Sequence, residues 1–126
     1  MKMIKLLLVD DNVKFLDFAK EILCVEKDIE IIGEAKNGEE AILKTKELKP
    51  DIVLMDMRMP KLNGLDATGI IKQKMPDVAV IILTIYDIDE YREAAIIKGA
   101  SGFVVKKRMK TELMPAIRKS FESRNV

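Results

Sequence analysis

Short apolar segments alternate with longer amphipathic segments along the 126-residue chain. Segments that are apolar on both sides are typical of strands in a parallel sheet covered by helices on both faces. The alternation predicts an α/β fold with right-handed crossovers: a five-stranded, doubly wound parallel sheet of the flavodoxin-like (βα)5 type, in strand order 2-1-3-4-5. The predicted strands are Ile4–Val9, Ile29–Ala35, Ile52–Met55, residues 78–83 and Gly102–Val105.

Capping residues and prolines predict where several helices begin. Asn37 with Glu40 three residues later has the spacing of a capping box at the start of the second helix, and Asp87 with Glu90 has the same spacing before the fourth. Because proline fits only near the start of a helix, Pro115 predicts that the last helix begins between residues 110 and 112.

Composition restricts the chemistry that the chain can perform. The chain has a formal net charge of +1, no histidine and one cysteine, Cys24. The absence of histidine argues against the usual zinc and haem sites and against Ser-His-Asp catalysis, so function is expected among aspartate, glutamate, threonine and lysine. We expect one domain spanning residues 1–126, a cytoplasmic location, and no membrane association or direct nucleic-acid contact.

Polar side chains follow four of the predicted strands: Asp10 and Asp11, Asp56, Thr84, and Lys106. The carboxyl ends of parallel strands meet at one edge of the sheet, so these groups are expected to lie together. Clustered carboxylates repel unless a cation neutralises them, and Mg²⁺ accepts one or two carboxylates together with phosphate oxygens. The site therefore suits a phosphoryl group, with one carboxylate as nucleophile. In the alternative interpretation, each aspartate only caps the following helix.

Motifs in a fixed order then identify a family. They are LVDD at 8–11, PDIVLMD at 50–56, MP at 59–60, NG at 63–64, Thr84, and GASGFVVK at 99–106. Together they resemble the receiver domain of response regulators in two-component signalling, from about residue 4 to 121. The segment from Leu83 to Asp87 and the absence of proline after Lys106 most resemble receivers with helix-turn-helix outputs. No output domain is present in the chain, so we expect a stand-alone receiver or one domain of a longer regulator.

The resemblance implies a phosphoacceptor and a metal site. Asp56 would accept a phosphoryl group from a sensor histidine kinase, from a phosphotransfer domain or from a small phosphodonor. Asp10 and Asp11 would bind Mg²⁺ with Asp56 and the backbone carbonyl of Arg58. The chain would catalyse only its own phosphorylation and dephosphorylation, so it would not be an enzyme acting on an external metabolite.

The resemblance also implies a switch. Thr84 and Lys106 would contact the phosphoryl oxygens, and Phe103 would turn inward as the Thr84 hydroxyl moves. The surface formed by the fourth helix, fifth strand and fifth helix would then change and support an output or a homodimer. The alternative interpretation of Phe103 is ordinary core packing.

Three departures from the family pattern involve four positions. Ile85 is bulkier than the residue that usually follows the threonine, and Lys107 stands where proline commonly follows the lysine. A cis peptide bond is therefore not expected there. Arg58 and Tyr86 occupy the positions that tune dephosphorylation in this family, and their bulk predicts a slow reaction.

Partner surfaces are predicted in two regions of the chain. Tyr91, Ile96, Met109 and Ala116 are candidate docking residues on the switch surface, although each could pack inward. Phe15 and its neighbours in the first helix form the expected face for a kinase phosphotransfer domain.

Three other functions fit less well. An aspartyl-phosphate phosphatase needs a second aspartate two residues after the nucleophile, where this chain has Arg58. An interaction module that does not use the site should lack one of the five groups, and all five are present. A nucleotide site is disfavoured because the turn at residues 10–13 is acidic and has no glycine.

Overall fold

The computed structural model describes residues 2–124, in which helices cover both faces of a five-stranded sheet. All strand pairs are parallel and the order is 2-1-3-4-5, which confirms the predicted fold class. No helix in this range is both long and apolar enough to cross a membrane. The elements are β1 (Ile4–Val9), α1 (Val13–Leu23), β2 (Ile29–Ala35), α2 (Gly38–Leu48), β3 (Ile52–Met55), α3 (Gly64–Lys74), β4 (Ala79–Thr84), α4 (Asp89–Ile97), β5 (Gly102–Val105), a 3-10 turn (Lys106–Arg108) and α5 (Met109–Arg124).

Two apolar cores lie on opposite faces of the sheet because side chains alternate along each strand. In β1, Leu6 and Leu8 face the core that α1 and α5 cover, whereas Leu7 and Val9 face the core that α2, α3 and α4 cover. All four leucine and valine side chains are buried. The sheet is therefore held from both sides, which fixes the carboxyl ends of its strands.

Asparagine side chains begin three of the helices. The predicted cap at Asn37 is confirmed, since its Oδ1 accepts a hydrogen bond from the backbone N–H of Glu40 at 2.9 Å. Asn12 and Asn63 cap α1 and α3 in the same way. Each cap satisfies a backbone donor that the first helical turn leaves free.

The predicted cap of the fourth helix is wrong. Asp87 lies two residues before α4, whose N-cap is Ile88 and has no capping side chain. The Asp87 carboxylate instead accepts a hydrogen bond from Arg108 Nη1 at 3.1 Å. A charged partner that is distant in sequence, on the 3-10 turn, therefore outcompetes the local backbone donors.

The last helix begins earlier than predicted. The 3-10 turn after β5 leads directly into α5 at Met109, so Pro115 lies in the second turn of the helix. Pro115 leaves the Thr111 carbonyl, four residues earlier, without its helical donor, and because Thr111 is exposed, solvent can replace that donor. β4 is displaced by one residue from its predicted bounds and ends at Thr84.

Gly64 brings the loop after β3 back against the end of that strand. Its backbone N–H donates to the Met57 carbonyl at 2.9 Å. A Cβ atom at this position would overlap the Asp56 carbonyl oxygen and lie 3.0 Å from the Met55 side chain. The close approach of α3 to the strand end therefore requires glycine.

We expect Gly64→Ala to destabilise the fold by at least about 2 kcal/mol, because overlap with backbone cannot be relieved by a side-chain rotation. Gly69→Ala in the same helix is the matched control. Its Cβ would meet only the flexible Lys98 side chain, at 3.2 Å. We expect that variant to gain about 0.5–1 kcal/mol from helix propensity. Urea denaturation compares the two variants, and equal free energies of unfolding would contradict the tight packing at Gly64.

Candidate functional site

The carboxyl edge of the sheet brings three carboxylates together. Asp10 directly follows β1, and Asp56 directly follows β3. Carboxylate oxygens of Asp10, Asp11 and Asp56 all lie within 4.8 Å of one another. Asp10 and Asp56 are buried, with 2% and 8% of their surface exposed, whereas Asp11 is exposed. The sheet topology thus places the predicted acidic residues in one cluster.

Asp10 is held at both oxygens. Its Oδ1 accepts a hydrogen bond from the backbone N–H of Asn12 at 2.9 Å, and its Oδ2 lies 2.6 Å from Lys106 Nζ. The same ammonium lies 3.7 Å from Asp56 Oδ1. Lys106 therefore joins the end of β5 to the ends of β1 and β3, as the sequence predicted.

The pKa of Asp56 is raised from 3.8 to about 6, first by burial and then by the negative charge of Asp10. Asp11 raises it further, whereas Lys106 and a backbone hydrogen bond from Met57 lower it. Three carboxylates facing one ammonium leave the ionised cluster with two excess negative charges. Oxygen ligands of this charge and spacing fit a hard divalent cation such as Mg²⁺.

Thr84 is fully buried at the end of β4. Its hydroxyl oxygen accepts a hydrogen bond from the backbone N–H of Tyr86 at 3.2 Å. The cleft above the carboxylates, of about 200 Å³, is lined by Asp10, Asp11, Asn12, Asp56, Arg58, Ile85, Tyr86 and Lys106. Thr84 lies beneath this lining, so the structure brings it to the same edge of the sheet without exposing it in the cleft.

Aromatic rings hold Arg58 at one wall of the cleft. Its guanidinium lies 5.1 Å from the centre of the Tyr86 ring and 5.8 Å from that of Tyr91. It also donates a hydrogen bond to the Tyr91 hydroxyl at 2.9 Å. The two rings pack edge to face. Sequence analysis placed Arg58 and Tyr86 beside the site, but it did not predict their contact with Tyr91 on α4.

Phe103 is buried in the core beneath α4, and a second arginine covers it. The Arg92 guanidinium lies 4.6 Å from the centre of the Phe103 ring and donates to the Phe103 carbonyl at 3.3 Å. Tyr91 and Arg92 are consecutive in α4. One helical turn therefore contacts both the cleft wall and the predicted switch residue.

One of the candidate docking residues is not free for a partner. Met109 is 2% exposed because it packs under the sheet at the start of α5, and Ala116 is half-buried against the same core. Tyr91 is also half-buried, whereas Ile96 is 62% exposed.

The Lys106–Lys107 peptide bond is trans.

Comparison with known proteins identifies the same fold and the same family. The family model described as response regulator receiver domain matches residues 6–118. The transcriptional regulatory protein DegU of Brevibacillus brevis is 35% identical over 115 residues, covering 91% of this chain and 49% of DegU. The chain spans between 49% and 59% of the length of the curated relatives that it matches first.

Solved structures give the same result. A LuxR-family two-component response regulator from Aurantimonas sp. SI85-9A1 is 28% identical, with a TM-score of 0.92 over 97% of this chain and 87% of that chain. A chain from the CheX–CheY–BeF3–Mg²⁺ complex of Borrelia burgdorferi is 29% identical, with a TM-score of 0.87 over 94% of this chain and 89% of that chain. The predicted resemblance, including that to transcriptional regulators, is confirmed.

The raised pKa of Asp56 predicts that the free energy of unfolding of the metal-free protein depends on pH. Between the ordinary pKa of 3.8 and the folded value of about 6, the folded state binds more protons than the unfolded state. The free energy of unfolding therefore falls as pH rises through this range. In the presence of a chelator at pH 8, we expect Asp56→Asn to be more stable than wild type by on the order of 1–3 kcal/mol.

The difference should be several-fold smaller near pH 4, where the Asp56 carboxyl is protonated in the folded state and only about half ionised in the unfolded state. Asp17→Asn is the control, since Asp17 is an exposed carboxylate on α1. Urea denaturation at both pH values measures the effect. If Asp56→Asn is no more stable than wild type at pH 8, the ionised Asp56 carboxylate does not destabilise the folded protein.

Proposed function

The chain belongs to the response-regulator receiver family, and on this premise we propose that it is switched by phosphorylation of Asp56 in a two-component system. The donor is a sensor histidine kinase or a phosphotransfer domain. The observation that carries the proposal is the convergence of three carboxylates within 4.8 Å of one another, with the Lys106 ammonium beside them. Residues 1–126 act as one receiver domain in this proposal, of which the structure describes residues 2–124, and the signal passes to an output domain or a partner.

Asp56 acts as the nucleophile. One of its carboxylate oxygens attacks the phosphorus, and the leaving group of the donor departs with the electron pair of the broken bond. A pKa of about 6 leaves the carboxylate ionised at neutral pH and more basic than an ordinary aspartate. Lys106 Nζ, 3.7 Å from Asp56 Oδ1, lies close enough to stabilise negative charge on the phosphoryl oxygens.

Asp10, Asp11, Asp56 and the backbone carbonyl of Arg58 hold Mg²⁺ in this proposal. When bound, Mg²⁺ supplies positive charge to the carboxylates and to the phosphoryl oxygens. The excess negative charge of the cluster supports this assignment. Further support comes from the similar Borrelia burgdorferi chain, which was crystallised in a complex with BeF3 and Mg²⁺.

Thr84 and Phe103 link the site to the surface formed by α4, β5 and α5. The Thr84 hydroxyl, which accepts a hydrogen bond from the backbone N–H of Tyr86, turns to donate its O–H to a phosphoryl oxygen, and Phe103 moves with it. The acyl phosphate shifts an existing equilibrium by making contacts in only one of the two states. Exposed Ile96 and Ile97 on α4 support a role for this surface in docking or homodimer formation.

This domain does not contact nucleic acid directly in the proposal. The basic run at residues 106–110 contains Lys106, whose ammonium faces the carboxylates of the site. Arg108 pairs with Asp87 and Glu112, so part of the remaining charge is already neutralised. A DNA-binding function therefore belongs to an output domain.

Intact-mass spectrometry after incubation with Mg²⁺ and acetyl phosphate tests the phosphoacceptor. We expect one added phosphoryl group on wild type and on the control Asp17→Asn, and none on Asp56→Asn. An unmodified wild type that also fails to bind beryllofluoride under saturating Mg²⁺ would overturn the proposal. It would favour an interaction module that keeps the receiver fold without phosphorylation.

Arg58 and Tyr86 should slow the loss of the phosphoryl group. The stacked pair forms a wall of the cleft beside Asp56 and limits the approach of water to the acyl phosphate. We expect Arg58→Asn and Tyr86→Glu to accelerate autodephosphorylation several-fold, measured as decay of the phosphorylated mass after removal of acetyl phosphate. An unchanged decay rate in both variants would count against this role.

A further inference from the structure

Lys106 has an aromatic neighbour in addition to its two carboxylates. Its ammonium nitrogen lies 3.9 Å from the centre of the Phe15 ring. Phe15 is half-buried on α1, and only 14% of the Lys106 side chain is exposed. The ring face therefore occupies a side of the ammonium that would otherwise face solvent, in the geometry of a cation–π contact.

The Phe15 ring differs from the two carboxylates because its attraction for the Lys106 ammonium does not depend on metal binding or phosphorylation. In the proposed function, Asp10 and Asp56 bind Mg²⁺, and Asp56 becomes covalently modified. Both carboxylate partners of Lys106 thus change during the reaction, whereas the Phe15 ring is neither charged nor a metal ligand. It remains a fixed attractive surface for the ammonium throughout.

We propose that Phe15 is a positioning residue that holds the Lys106 ammonium over the phosphoryl site through its aromatic face. This inference rests on the proposed function and extends it to a residue of α1. The ring attracts the charge and keeps water from that side of the ammonium. A leucine at this position supplies apolar contact but no attraction for the charge.

Phe18, one turn along α1, provides a matched control. Its ring centre lies 5.9 Å from Lys110 Nζ, and the ring is 40% exposed. Lys110 is also exposed, so water screens this second contact. Phe15 and Phe18 thus offer the same pair of residue types in one helix, but only Phe15 faces a largely buried ammonium.

Nuclear magnetic resonance of the metal-free protein tests the geometry without phosphorylation. Ring currents from Phe15 should shift the Lys106 Cε methylene protons upfield relative to those of Lys110. Phe15→Tyr should keep the shift, and Phe15→Leu should abolish it. Lys106 protons at ordinary lysine positions in wild type would overturn the proposal, and this measurement needs no variant to fold.

Initial rates of phosphorylation by acetyl phosphate under saturating Mg²⁺ test the consequence. We expect Phe15→Leu to be slower by about three- to tenfold. Phe15→Tyr and Phe18→Leu should stay close to wild type. In a Lys106→Met background, Phe15→Leu should cause no further loss, because the two residues act through one contact.

The outcomes separate the two proposals. A wild type that gains no phosphoryl group contradicts the proposed function itself. If wild type is phosphorylated but Phe15→Leu is phosphorylated equally fast, only the positioning role is contradicted. An equal loss from Phe15→Leu with and without Lys106 would also overturn it, since the effect would then be structural.

Discussion

Uncompensated negative charge at the carboxyl edge of the sheet is the constraint on which the other features depend. Two carboxylates 4.8 Å apart repel by roughly 3 kcal/mol at an effective dielectric constant of 20, and here three share one site with a single ammonium. Only a rigid scaffold keeps such groups together when no cation is bound. The scaffold is the pair of apolar cores that clamps β1 and β3 from both faces.

α4 contacts both the cleft wall and β5, so in the proposed function it is placed to carry the signal from the site. Arg58, at the cleft wall, is hydrogen bonded to Tyr91, and Arg92, the next residue, covers the ring and carbonyl of Phe103. Neighbouring residues in a single turn of α4 therefore contact both the cleft wall and β5. Because packed side chains shift between discrete arrangements and do not deform gradually, such a turn suits a two-state response.

Sequence analysis succeeded where the determining pattern is local. Alternating apolar runs gave four of the five strands within their observed bounds, and strand polarity placed the five polar groups at one edge. It failed where a distant residue decides the outcome. Asp87 pairs with Arg108 and does not cap α4. The sequence left the burial of Met109 open, and the 3-10 turn before α5 brings its side chain into the core. Neither contact has a spacing that a helical or strand period could reveal.

Different helices back the residues that line the two sides of the cleft. On one side, Phe15 of α1 faces Lys106, the cation proposed to stabilise the incoming phosphoryl group. On the other side, Tyr91 of α4 is hydrogen bonded to Arg58, which in the proposed function limits the access of water to that group. The first side lies on the face expected to meet a phosphodonor, and the second lies on the face expected to meet an output. In the proposed function, Phe15 therefore bears on the gain of the phosphoryl group and Tyr91 on its loss, each from a different helix.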